Sequence, residues 1–158
     1  MDVLNASFRF HYHLPTVFLV LFLLGVLVPV DAEAQGAPQS WTATDSELEW
    51  GGCPAFMPES CAIAVLHGSP ESPNADIFFR MAPNTTVPAH LHTSPERMVL
   101  VSGEMHVTYE GHDPVVLQPG TYARGPAKLP HDAYCAAGEE CVLFIAFEDP
   151  IDAMPAEE

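Results

Sequence analysis

Apolar residues recur along this chain in short runs, about ten residues apart, closed by glycine or proline. The runs at 62–66, 76–81, 90–92, 97–101, 104–109, 115–117, 121–124 and 142–147 each suit a strand. Residues 51–61, 67–74 and 83–88 carry the turn formers and are expected to be loops or turns. No stretch has the period of a helix longer than about two turns. Evenly spaced short strands predict an all-β antiparallel sandwich or barrel. The acidic tail after residue 147 carries no period and is expected to fray.

One run is of another kind. Residues 14–30 are 17 uncharged, mostly apolar positions, preceded by Arg9, His11 and His13 and followed by Ala32-Glu33-Ala34. That order is expected of a signal peptide cut after Ala34. The alternative is an uncleaved anchor, since the run is near the minimum for a span. The predicted organisation is a signal peptide over 1–34, a flexible lead-in over 35–50, one domain over 51–150 and an acidic tail over 151–158. The domain is then exported, secreted or periplasmic, with no membrane attachment after cleavage.

Charge narrows the partners. The chain carries 5 Lys+Arg against 21 Asp+Glu, a formal charge of −16. Cleavage removes Asp2, Asp31, Glu33 and Arg9 and leaves −14. A nucleic-acid binder needs a basic face, and a protein held on anionic lipid needs a basic cluster; neither fits. The hydrophobic share of 48% permits a packed core.

All 4 cysteines, Cys53, Cys61, Cys135 and Cys141, lie beyond the cleavage site. An even count in an exported chain predicts disulfides, with four buried thiols as the alternative. Three pairings are possible. Local pairing, Cys53 with Cys61 and Cys135 with Cys141, is the simplest, the second pair tying a hairpin across its turn.

The candidate chemistry lies in His90-x-His92-x3-Glu96. Positions i and i+2 of a strand share a face, so the two imidazoles aim at one point. Glu96 returns to that face if the alternation survives Ser94-Pro95. Two imidazoles and a carboxylate suit Fe, Mn, Ni, Cu or Zn. A further ligand must come from elsewhere, and His131 is the best candidate. His106 alternates with Glu104 and Thr108 and is expected on the surface.

These residues resemble the cupin superfamily. The pattern G-x5-H-x-H-x3,4-E-x6-G reads here as Asn84, His90, His92, Glu96 and Gly103. The pattern G-x5-P-x-G-x2-H-x3-N reads as Gly120, Pro126, Lys128, His131 and Cys135, with 16 residues between the two. Asn84 can take the left-handed turn of the lost glycine. Lys128 does so only at a cost, so the loop before His131 is expected to differ. The resemblance implies a small antiparallel jelly-roll β-barrel. It implies one divalent transition metal held by His90, His92, Glu96 and His131, with open positions for a small-molecule ligand or substrate. Dioxygenase, isomerase and lyase chemistries all fit, and a non-catalytic binding or sensing module is the alternative. The resemblance also implies a homodimer. Met98 and Leu100 share the Glu96 face and are expected to line the pocket, and Tyr122 or Arg124 to add a polar contact. The disulfide expectation is checked by thiol titration of the denatured, unreduced protein. Near zero thiols per chain is expected; four would overturn it.

Overall fold

The computed structural model describes residues 38–156. The signal-peptide expectation for residues 1–34 and the first part of the lead-in lie outside the described residues, as do Glu157 and Glu158. No helix occurs among the described residues, so none there is long and apolar enough to cross a membrane.

Eleven strands follow in chain order: β1 (Trp50–Gly52), β2 (Ala62–His67), β3 (Asp76–Met81), β4 (Thr85–Leu91), β5 (Glu96–Ser102), β6 (Met105–Tyr109), β7 (Val115–Leu117), β8 (Tyr122–Gly125), β9 (His131–Cys135), β10 (Cys141–Phe147) and β11 (Met154–Pro155). Eight of them overlap the runs predicted from apolar spacing. They form two antiparallel sheets, ordered β1-β2-β3-β10-β5-β8 and β11-β4-β9-β6-β7. The all-β expectation holds as a two-sheet jelly roll; no ladder of hydrogen bonds joins the sheets into a closed barrel among the described residues.

Alternation builds the core between the sheets. On β5, Glu96, Met98 and Leu100 are buried, and on β10 Leu143, Ile145 and Phe147 are. The other sheet answers with Val87, Met105, Val107 and Ala133. The apolar residues of these strands are thus arranged with a period of two, one half turned inward.

Several boundaries differ from the sequence expectation. The turn placed at 83–88 is only a turn at Pro83-Asn84, because β4 begins at Thr85. Pro88 is accommodated by a bulge between Val87 and His90, where no ladder donor is needed. Trp50, assigned to the lead-in, opens β1 and lies 4.0 Å beneath the Arg80 guanidinium. The tail does not fray: Met154 and Pro155 pair with Leu91 and His90, and the Ala156 amide donates to the Ala89 carbonyl at 3.0 Å.

Both local disulfides form, Cys53–Cys61 and Cys135–Cys141. The second does not tie a hairpin. β9 pairs with β4 and β6 in one sheet, while β10 pairs with β3 and β5 in the other. The bond therefore crosses the core and staples sheet to sheet. Gly103, at a φ of 78°, packs on it: a Cβ there would meet the Cys141 Cα and Sγ at 2.9 Å. Two disulfides point to an oxidising, non-cytoplasmic compartment. Replacing Cys135 and Cys141 together by serine should cost about 2 kcal/mol of stability, the entropy of a short closed loop. Urea denaturation without reductant measures it, and an unchanged midpoint would refute the staple.

Candidate metal centre

His90, His131 and Tyr109 lie side by side across one sheet, since β9 pairs His131 with His90 on one edge and with Tyr109 on the other. His92 follows directly after β4. Glu96 opens β5 in the facing sheet, where its partners are Gly125 and Phe147. The centre thus sits between the sheets at one end of the core, and both sheets supply it.

The three histidines converge: their ligand atoms lie within 4.8 Å of one another and all three are buried. The Glu96 carboxylate adjoins two of them, with Oε1 at 3.4 Å from His92 Nε2 and Oε2 at 3.6 Å from His131 Nε2. Donors each about 2.1 Å from one ion stand about 3 Å apart when adjacent, so these spacings are close to a shared ligand sphere.

Hydrogen bonding decides which nitrogen is free. His90 Nδ1 meets the Pro88 carbonyl at 2.8 Å, His131 Nδ1 meets the Leu129 carbonyl at 3.2 Å, and His92 Nδ1 meets the Asp152 carbonyl. A carbonyl only accepts, so each Nδ1 carries the proton and each Nε2 keeps a lone pair. Burial holds His90 down at about 4 and His131 at about 3, with neighbouring imidazoles adding to both. Burial raises Glu96 above the usual carboxylate range. Bare nitrogen lone pairs and a buried carboxylate facing one point, with no proton donor bonded among them, fit a divalent cation. Carbonyl-oriented imidazoles are also the usual support of metal-ligating histidine.

The loop between His92 and Glu96 is pinned to the chain's end. Asp152 accepts from the Thr93 amide at 2.8 Å and the Thr93 hydroxyl at 2.7 Å. The buried Ser94 hydroxyl accepts from the Glu148 and Asp149 amides, both at 3.0 Å. On the other side, the Lys128 amide donates to the His92 carbonyl at 2.7 Å. Lys128 does take the left-handed conformation, at a φ of 61°, so the expectation of a different loop shape is corrected. The turn is kept at a cost of about 1 kcal/mol. Asn84 takes it too, at 58°.

A cavity of about 230 Å³ opens onto the centre, lined by His90, His92, Glu96 and His131 and otherwise mainly by apolar groups, Met98 among them. Leu100 is fully buried in the core and does not line it. Tyr122 and Arg124 do not reach it either. Glu96 pairs with Gly125, so Arg124, opposite Arg97, and Tyr122, opposite Val99, point outward and line a different cavity. His106 lies half-exposed against Glu104 at 2.9 Å, on the outer face as expected.

Sequence reasoning missed Tyr109. Its hydroxyl is buried with no hydrogen-bond partner among the described residues, and its ring lies 5.1 Å from that of His131. Burial and the Glu96 carboxylate push it up to about 12. The signal was present, because the alternation that puts His106 and Thr108 outside puts Tyr109 inside. Gly125 keeps the space between them: a Cβ there would stand 3.0 Å from both Glu96 Oε2 and the Tyr109 hydroxyl. Gly125→Ala should therefore weaken metal retention about tenfold, in the range of changes around ligands. Competition with a chelator measures it, and unaltered affinity would remove Gly125 from the site.

The family model for the Cupin domain matches residues 77–147. No curated protein matches the sequence. Among solved structures, one from work on the DMSP lyases RdDddP and RnDddQII is similar at 15% identity. The match has a TM-score of 0.61, over 70% of this chain and 63% of that one. Rru_A2000 from Rhodospirillum rubrum, a cupin-2 domain, is similar at 14% identity and a TM-score of 0.61, over 77% and 84%. Oxalate decarboxylase of Bacillus subtilis, which has Mn(II) centres, is similar at 18% identity and a TM-score of 0.54, over 62% and 28%. This chain thus spans less than two thirds of the first and less than a third of the last. The matching family model, the two-sheet fold and the histidine cluster agree, and residues 77–147 of this chain are a cupin domain.

Proposed function

We propose that the protein is an exported, divalent-metal-binding cupin that acts as a metal-dependent enzyme on a small organic molecule, with chemistry of the dioxygenase, isomerase or lyase kind. The observation that carries it is the convergence of three imidazoles at the wall of a cavity, with the Glu96 carboxylate beside two of them. His90, His92, Glu96 and His131 would hold the ion. When bound, a divalent ion supplies Lewis acidity towards an oxygen donor, and Fe or Cu adds redox chemistry. The carbonyls of Pro88, Leu129 and Asp152 keep the imidazoles in one tautomer, and the apolar wall keeps water from the reacting end of the cavity. The lyases and the decarboxylase among the similar folds lend the enzyme reading support by analogy alone.

Export is supported by the two disulfides, and cleavage after Ala34 rests on the Ala32-Glu33-Ala34 pattern. A homodimer is supported by Val115, Val116 and Tyr122, apolar side chains exposed on the edge strands β7 and β8. One observation favours a second reading, a non-catalytic module that holds a metal and a small ligand. Apart from the candidate ligands, the one ionisable side chain on the cavity wall among the described residues is Asp152, already bonded to Thr93. A reaction that needs a separate protein acid or base has no other group there.

Elemental analysis of the exported, tag-free protein tests the proposal. About one Fe, Mn, Ni, Cu or Zn per chain is expected, falling at least tenfold in His131→Ala, since lost ligands commonly cost that much or more. No metal after addition of each ion would overturn it. Recovery of a bound organic molecule unchanged by the metal-loaded protein would select the binding module.

A further inference from the structure

We propose that the cavity takes a molecule with one oxygen head group, placed at the ion, and an uncharged hydrocarbon remainder, and that it rejects molecules with a second anionic group. The inference rests on the metal-centre reading and goes beyond it to the substrate class.

The charges on the cavity wall carry the argument. Among the described residues that line it, the charged side chains are Glu96 and Asp152, both acids. No lysine or arginine is among them. The described chain has four bases, and each is occupied or points elsewhere. The Arg80 guanidinium stacks on Trp50, and Arg97 bonds Glu148 Oε1 at 2.6 Å. Arg124 and Lys128 are exposed and outside the lining.

The remaining wall is apolar. Met57, Phe79, Met98, Met105, Leu143 and Ile145 contribute to it, with no hydroxyl or amide side chain among the lining residues. Asp152 is taken up by Thr93, so a divalent ion beside ionised Glu96 keeps one positive charge, which one anionic oxygen on the ligand neutralises. A second carboxylate further along the molecule would lose its water and gain neither a donor nor a cation, which is strongly unfavourable in an apolar wall. A hydrocarbon in the same place gains by leaving water. At about 230 Å³ the cavity falls just below the usual range for drug-sized ligands, so the occupant is small.

Pentanoate and glutarate test this, because they share chain length and metal-binding head and differ only at the far end. Met57, Met98 and Met105 line the cavity, so the resonances of 13C-labelled methionine methyls report occupancy, with Met81 and Met154 outside the lining as controls. In the zinc-loaded protein, pentanoate should move those three methyls at a concentration at least tenfold below glutarate. In the metal-free protein, 1-pentanol should move the same three and glutarate none. Glutarate acting at the concentration of pentanoate would overturn the proposal, as would 1-pentanol leaving all three methyls unmoved. Zinc content, measured on each sample, reads the metal centre separately. A protein that takes up neither zinc nor Fe, Mn, Ni or Cu, yet admits 1-pentanol and rejects glutarate, would refute the metal-centre reading and uphold the apolar occupant.

Discussion

The centre depends on three hydrogen bonds that fix its imidazoles. Each Nδ1 is committed to a backbone carbonyl, and the consequences extend through the fold. Two of the carbonyls, Pro88 and Leu129, lie two residues before the histidine they hold, so the backbone must curl just ahead of each. That explains the bulge in β4 at Pro88 and the proline-rich loop ahead of β9. The third carbonyl belongs to Asp152, which is 60 residues from His92. The last strand and the turn before it therefore form part of the centre. Residues 148–155 hold the His92 ring by a carbonyl, the Thr93 backbone by a carboxylate and the Ser94 hydroxyl by two amides. Without that segment, the Lys128 amide would still hold the His92 carbonyl, but the His92 ring would lose its anchor.

Electrostatics and packing point the same way. Burial disfavours the protonated imidazoles and the ionised carboxylate alike, so without a cation the centre rests uncharged. A cation is the partner that satisfies neutral Nε2 and ionised Glu96 together. The surroundings conserve room for this arrangement. Gly125 leaves the space that a methyl group would take from Glu96 and Tyr109. The Tyr109 hydroxyl, without a partner among the described residues, lies behind it, a buried donor close to the carboxylate.

Most of the strands and the candidate ligands were legible because both depend on spacing. A period of two marks which residues face inward, and His90, His92, Glu96 and His131 carry their own signature in residue type and separation. What was not legible depends on contacts across the fold. A two-residue strand such as β11 has no period, so nothing in the sequence around Met154 announces that it caps the centre. Cys135 and Cys141 look like the two feet of a hairpin because they are near in sequence, yet their strands enter opposite sheets. Tyr122 and Arg124, expected as polar contacts at the pocket, face outward because the parity of β8 is set by its register with β5, which local sequence does not encode. Lys128 shows another limit. Its preference opposes the left-handed turn, but its amide bond to the His92 carbonyl and the fixed position of His131 hold it there.

The geometry of β9 connects stability to the centre. Its first residue, His131, faces the other ligands, and its last, Cys135, carries the disulfide to β10. The strand is about 13 Å from end to end. At one end a covalent bond ties the two sheets. At the other, Glu96 from one sheet meets His131 from its neighbour and His92 just beyond β4, and an ion bridging them would tie the sheets a second time. Binding that joins elements apart in the unfolded chain adds directly to folding free energy. An ion bound by all four side chains therefore stabilises the jelly roll as a whole, and its loss would first loosen the end that carries β11 and the His92 loop. The same residues would then set both the reactivity of the centre and the order of the segment that covers it.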